Sequence, residues 1–162
     1  MNELELLSAI KQNARMSIKD LALVLNEAES DVLDKLNELE RAKVICGYHT
    51  VINYDKLNTE EVISLIQVGA IPQRETGYDE IAKKIYRYDE VNTMYLMSGK
   101  MEFVVIISGK TMREVSDFVA RKLAVIDGVT KTETYFILKP YKVEGIIIEE
   151  KKEEDSRLLS KL

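Results

Sequence analysis

The residue types best suited to hold a small zwitterion gather in one short stretch and one later strand. Tyr95, Ser98, Gly99 and Glu102 surround the segment Y-L-M-S-G-K-M-E-F, and Thr132 and Thr134 alternate in T-E-T further on. A small ligand carrying both charges needs donors for its anionic group and an acceptor for its cationic one. Backbone N–H groups around Gly99 and the hydroxyls of Ser98, Thr132 and Thr134 supply the first, and the carboxylate of Glu102 supplies the second, as charge-assisted hydrogen bonds. Threonines two residues apart share one side of a strand. The same residues also suit a plain sheet edge, glycine for a turn and threonine for β propensity.

A second polar set lies near the N-terminus. Ser30, Asp31, Asp34 and Lys35 fall on one side of a segment whose other side carries Val32, Leu33, Leu36 and Leu39. On a helix lying in a DNA groove, Lys35 would donate to guanine or phosphate and Asp34 would accept from cytosine N4. Arg41, Lys43 and His49 follow at the far end, as candidate phosphate contacts.

Catalytic and metal chemistry find less support. His49 is the only histidine and Cys46 the only cysteine, whereas zinc sites need several such ligands, so no metal and no cofactor is assigned. A lone Cys46 forms no internal disulfide and is expected to be a small buried filler beside Gly47. The paired carboxylates Glu149 and Glu150 belong to a charged tail. No G-x-S-x-G, Walker or G-x-G-x-x-G pattern is present.

The elements that must position these residues follow from periodicity. Leu4, Leu7 and Ile10 recur at helical spacing in Met1–Asn13. Ile18–Leu25 is a short apolar helix, Asn26–Ala28 a tight break and Glu29–Lys43 a longer amphipathic helix, the layout of a helix-turn-helix. The stretch 44–54 has the pattern of a strand and turn, which makes residues 1–57 a winged helix-turn-helix domain. The rest contains one unit written twice. At a constant offset of 38 residues, Ile81, Ala82, Lys84, Ile85, Asp89 and Val91 align with Val119, Ala120, Lys122, Leu123, Asp127 and Val129. Each copy places a helix between strands: Val62–Ala70 and Asn92–Met97 in the first, Phe103–Ser108 and Thr130–Leu138 in the second. The order β-α-β-β-α-β is the ferredoxin-like unit. Thr111 with Glu114 forms a capping box, and Thr76 or Gly77 precedes the earlier helix. The fold class is therefore α+β, with a ferredoxin-like domain over 58–148 and a charged tail over 149–162, Val143 and Ile146–Ile148 adding a short element.

Composition sets the limits on partners. The net charge is −5, and residues 1–57 hold 7 Lys/Arg against 10 Asp/Glu, an unusual balance for a nucleic-acid module. No apolar run approaches the ~20 residues of a membrane span, and M-N-E-L-E carries acidic residues where a signal peptide would carry basic ones. A soluble, cytoplasmic protein without a membrane partner is expected. Val104–Ile107 is apolar without a break and Val62–Ile66 nearly so. A sheet with helices on one face and water on the other should alternate. Both faces are thus expected to be buried, and a second copy is the simplest cover.

Taken together, L-N-E-L-E-R-A-K-V-I-C-G-Y (36–48), Y-L-M-S-G-K-M-E-F (95–103) and T-E-T-Y (132–135) resemble the Lrp/AsnC family of transcription regulators, from Leu4 to about Lys142. The resemblance implies a regulator that binds operator double-stranded DNA, is modulated by an amino acid or related metabolite between subunits, and forms homodimers, with tetramers or octamers as multiples. It implies no enzymatic activity. The chain departs from the family at its recognition helix, where Asp31, Asp34, Glu38 and Glu40 surround the single Lys35, at Glu27 in place of an apolar residue, and at Glu102 in place of Asp. The acidic helix leaves open an effector-sensing or heteromer-forming partner without strong DNA binding. The architecture is also similar to that of the sirohaem decarboxylases, whose active-site histidines are not matched by a single His49.

Overall fold

The computed structural model describes residues 2–57 and 61–148. The paired glutamates and the charged tail lie outside the described residues. The chain divides between Val51 and Ile52 into two compact units.

The first unit is helical. Asn2 caps α1 (Glu3–Gln12) by accepting from the Leu4 N–H, and Ser17 caps α2 (Ile18–Leu25) by accepting from the Asp20 N–H. Asn26, at φ 54°, ends α2 in the left-handed region that asparagine tolerates. After Glu27 and Ala28 the chain enters α3 (Glu29–Arg41). α3 stops two residues earlier than the sequence pattern suggests, because Lys43 turns to φ 58° and the Val44 N–H closes onto the Leu39 carbonyl at 2.9 Å, a Schellman-type end. Leu6, Leu21, Val32, Leu36 and Leu39 form the core. In α1 the centre of packing is Leu6, with Leu7 and Ile10 at its margin; Leu4, expected to share in that stripe, is 75% exposed.

Two local expectations are corrected beyond α3. Residues 44–53 belong to no strand among the described residues; up to Val51 they lie in the helical unit, whose described residues offer no ladder to join. Cys46 is exposed rather than buried, its thiol donating to the Lys43 carbonyl at 3.1 Å, because the segment runs along the surface after Ile45.

The second unit opens with a short 3₁₀ turn at Tyr54–Lys56. Its strands β1 (Val62–Ala70), β2 (Val91–Leu96), β3 (Phe103–Gly109) and β4 (Val129–Phe136) form one antiparallel sheet in the order β2-β3-β1-β4. The helices are α4 (Asp79–Tyr86) and α5 (Met112–Phe118), the latter continuing as a π turn at Val119–Leu123. This is the β-α-β-β-α-β order of the repeat. Thr111 accepts from the Glu114 N–H at 3.1 Å, while Glu114 reaches back to the Lys110 N–H at 2.7 Å, one residue before the usual capping-box partner. α4 has no side-chain cap: Thr76 bonds Gln73 instead, Gly77 takes φ 59° in the turn, and Tyr78 opens the helix. Lys142–Val143 and Ile146–Ile147 pair as a hairpin, β5 and β6, through Glu144 and Gly145, both at positive φ.

Register fixes which residues share a face. Ser64, Ile66 and Val68 pair with Ile107, Val105 and Phe103, and with Phe136, Thr134 and Thr132 on the other side. This set faces the helices, where Ile81, Ile85, Val115, Phe118 and Leu123 complete the core. The opposite face carries Ile63, Leu65, Val104 and Ile106, all half-buried, with exposed Tyr95, Tyr135 and Ile137.

Candidate nucleic-acid face and effector loop

α3 is the second helix of the helix-turn-helix, and its outward face is set by its buried one. With Val32, Leu36 and Leu39 inward, the helical period turns Ser30, Asp34, Asn37 and Arg41 directly away from the core; all four are exposed. Asp31 lies at the side of this stripe, where it accepts from the Ser30 hydroxyl at 3.1 Å. Arg41 folds back so that Nε donates to the Asn37 carbonyl at 3.1 Å.

Lys35 is not part of the stripe. It turns toward α1, where its ammonium sits 3.0 Å from Glu3 and 3.1 Å from Glu38, with only 24% of the side chain exposed. These bonds, Glu3 before Glu38, raise its pKa above the ordinary lysine value. The expectation that Lys35 projects with Asp34 is therefore corrected, since helical phase puts it on the flank beside α1. Asn37, absent from the sequence-based set, takes its place. The spacing 30, 34, 37, 41 was the available signal, because an asparagine side chain can pair with the adenine edge. Lys43 and His49 are exposed beyond the end of α3. Near them the Tyr48 hydroxyl donates to Glu40 at 2.9 Å; burial and then that bond raise its pKa.

In the sheet unit, Ser98 and Gly99 are exposed on the loop between β2 and β3, and Tyr95 stands on the open face of β2. Glu102 is half-buried, and its Oε2 accepts from the Ala70 N–H at 2.7 Å, leaving Oε1 for a second donor. The Glu102 carbonyl also accepts from the Met97 N–H at 2.8 Å, which closes the loop. The sheet does not bring Thr132 and Thr134 to this group within one protomer. They lie on β4, the edge opposite β2, and on the helix-covered face, paired with buried Val68 and Ile66. Residues closer to the end of β1 are Thr130 and Lys131, at the bulge that shifts the β1–β4 register after Gly69. A side chain at Gly69 would meet the Thr130 hydroxyl at 3.0 Å and the Met101 sulfur at 3.6 Å, so glycine admits this close approach. Beyond it Lys131, Glu133 and Tyr135 stand in line on β4. Lys131 pairs with Glu133, and Tyr135 donates to it at 2.9 Å; these bonds hold the Glu133 carboxyl below its usual range.

Residues 63–147 match the Lrp/AsnC ligand-binding domain. The chain belongs to the Lrp/AsnC family. It is 38% identical to the helix-turn-helix-type transcriptional regulator YugG of Bacillus subtilis over 148 residues, covering 91% of this chain and 89% of that one. It is 29% identical to the regulator LrpA of Pyrococcus abyssi, covering 85% and 94%. Among solved structures, the Mycobacterium tuberculosis leucine response regulatory protein superposes with a TM-score of 0.73 at 18% identity, over 92% of this chain and all of that one. A transcriptional regulator of Neisseria meningitidis, solved as its L-methionine complex, gives 0.68 at 20% identity, over 88% and 93%. The chain is accordingly a transcriptional regulator of the Lrp/AsnC type with the fold expected from its sequence. No helix among the described residues is long and apolar enough to cross a membrane.

Proposed function

We propose that this regulator is a cytoplasmic homo-oligomer that binds operator DNA through α3 and changes its DNA affinity when a free amino acid binds near the Ser98–Glu102 loop. The helical unit serves DNA and the sheet unit serves the effector and assembly. The observation that carries the DNA part is the stripe Ser30, Asp34, Asn37, Arg41, which offers acceptors and donors along the outward face of the second helix of a helix-turn-helix. Residues on such a face reach base edges. On the effector side, Oε1 of Glu102 accepts the ammonium, and backbone N–H groups around Gly99 with the Ser98 hydroxyl take the carboxylate. Thr132 and Thr134 join the site only if a neighbouring subunit brings β4 to the loop. The half-buried apolar face with Leu65 and Ile106 supports a symmetric dimer as the first assembly step. No residue set in this reading performs catalysis.

A second reading has one observation in its favour. α3 carries five carboxylates, and its lysine is already paired, so a sensing partner that joins other subunits without gripping DNA also fits. Capture of sheared genomic DNA by the purified protein, with and without each of the twenty amino acids, separates the two. Enrichment of discrete sites that shifts with one amino acid supports the regulator. Amino-acid binding with no enriched site supports the sensing partner.

A further inference from the structure

The fate of Lys35 carries a consequence for specificity, and it rests on the reading of α3 as a DNA-contacting helix. Lys35 is the only cation on α3 before Arg41. In a helix that meets a polyanion, such a residue ordinarily contacts phosphate or guanine. Here two carboxylates from different places hold it: Glu38 one turn along the same helix at 3.1 Å, and Glu3 from the start of α1 at 3.0 Å. The pair is arranged across two elements, so the ammonium is turned toward α1 rather than out along the stripe. With Lys35 withdrawn, Asp34 offers only acceptors and Asn37 offers one acceptor and two donors. Bases that present an amino group to the major groove meet such a face: cytosine through N4 and adenine through N6 with N7.

We propose that Glu3 and Glu38 are specificity determinants, which keep Lys35 off the DNA and thereby bias α3 toward the amino-bearing edges of cytosine and adenine through Asp34 and Asn37. Phosphate contact then falls to exposed cations outside the middle of α3, Arg41 and Lys43 after it and Arg15 and Lys19 around the start of α2. Glu3 and Glu38 are themselves well exposed, at 46% and 62%, so their replacement by glutamine leaves the helical core untouched.

The test is selection from a random duplex library, followed by anisotropy titration of the selected duplex over a range of salt. The proteins are wild type, Lys35→Met, the double variant Glu3→Gln/Glu38→Gln, and Glu5→Gln/Glu40→Gln as a control that removes equal charge without touching Lys35. Lys35→Met should bind the wild-type site within about twofold with an unchanged salt slope. Freeing Lys35 in the Glu3→Gln/Glu38→Gln protein should tighten binding about tenfold at low salt, steepen the slope by about one, and add guanine to the selected site. The charge control should gain less than about threefold. A tenfold loss in Lys35→Met would overturn the inference, as would a gain in the control equal to that of the Glu3→Gln/Glu38→Gln protein. If wild type selects no duplex, the DNA reading itself fails and takes this inference with it. If wild type selects a duplex and the Glu3→Gln/Glu38→Gln protein keeps its affinity, slope and sequence, only the inference fails. Helix content and melting temperature of each variant, measured alongside, exclude misfolding as the cause.

Discussion

The two faces of the four-stranded sheet are built from the same strands but stand in different conditions. On one face, Ile66, Val68, Val105 and Ile107 are fully covered by α4 and α5. On the other, Ile63, Leu65, Val104 and Ile106 are only half-buried, and no described element of the sheet unit closes over exposed Tyr95 and Tyr135. Apolar side chains on alternate positions of one strand thus serve two layers. One layer is a finished core. The other is the face we propose as the interface between copies, because a contiguous apolar patch of this kind marks an association site.

The largest effect should come from charging the open face. Leu65→Glu/Ile106→Glu would leave unpaired carboxylates at the centre of the proposed interface, on the scale of roughly 3–5 kcal/mol for a buried uncompensated charge. Sedimentation should then show monomers that keep wild-type helix and sheet content. Persistence of the wild-type assembly would mean that this face is not the interface.

At the rim of that face, Glu102→Gln should weaken amino-acid binding about tenfold, or roughly 1.4 kcal/mol, by removing the charge that meets the ammonium while keeping size and the bond from Ala70 N–H. Calorimetry reads this directly. Unchanged affinity would move the effector away from the loop.

On the covered face the effect is smaller and of opposite sign. Ser64 is fully buried, and its hydroxyl has no hydrogen-bond partner among the described residues. Ser64→Ala removes a desolvated group and should stabilise the sheet unit by about 1 kcal/mol. A lower melting temperature would show that the hydroxyl has a partner in the assembled protein.

The smallest effect concerns pH at the helix side of the sheet. Lys122 pairs with Glu90 and lies 5.2 Å from the Tyr88 ring and 5.7 Å from that of Phe118. The bond from Lys122 holds the Glu90 carboxyl below its ordinary range. A depressed carboxylate contributes stability that is present above the unfolded pKa of about 4.3 and is lost as pH falls through the folded one. Both side chains are more than a third exposed, so solvent screens the pair and the effect is a few tenths of a kcal/mol. The difference in melting temperature between wild type and Glu90→Gln should be constant above about pH 5 and fade below about pH 4. A difference that persists into acid would place its origin outside the ion pair.

Periodicity carried most of the fold, because helix and strand periods are backbone properties that a single chain expresses. The sequence period places β1 at Val62–Ala70 and α2 at Ile18–Leu25, the bounds they have in the structure, and the 38-residue repeat marks both halves of the sheet unit. The candidate sites were less legible. Lys35 looked outward on charge alone, but its partner Glu3 lies 32 positions earlier, and only three-dimensional packing brings them together. Thr132 and Thr134 have the right period but lie on the far edge and covered face, which sheet order decides and strand pattern does not. The segment 44–51 has a strand-like pattern with no strand among the described residues of its own unit.

The most direct test is a titration of the selected duplex by wild type and by Asn37→Ala, each with and without the amino acid that calorimetry identifies. The amino acid should shift wild-type DNA affinity by about fivefold or more, the usual range of coupling between sites. Asn37→Ala should lose about tenfold in DNA affinity while binding the amino acid normally, as the loss of one bidentate base contact requires. An amino acid that binds without changing DNA affinity, or an Asn37→Ala protein that grips the duplex as tightly as wild type, would contradict the proposed function.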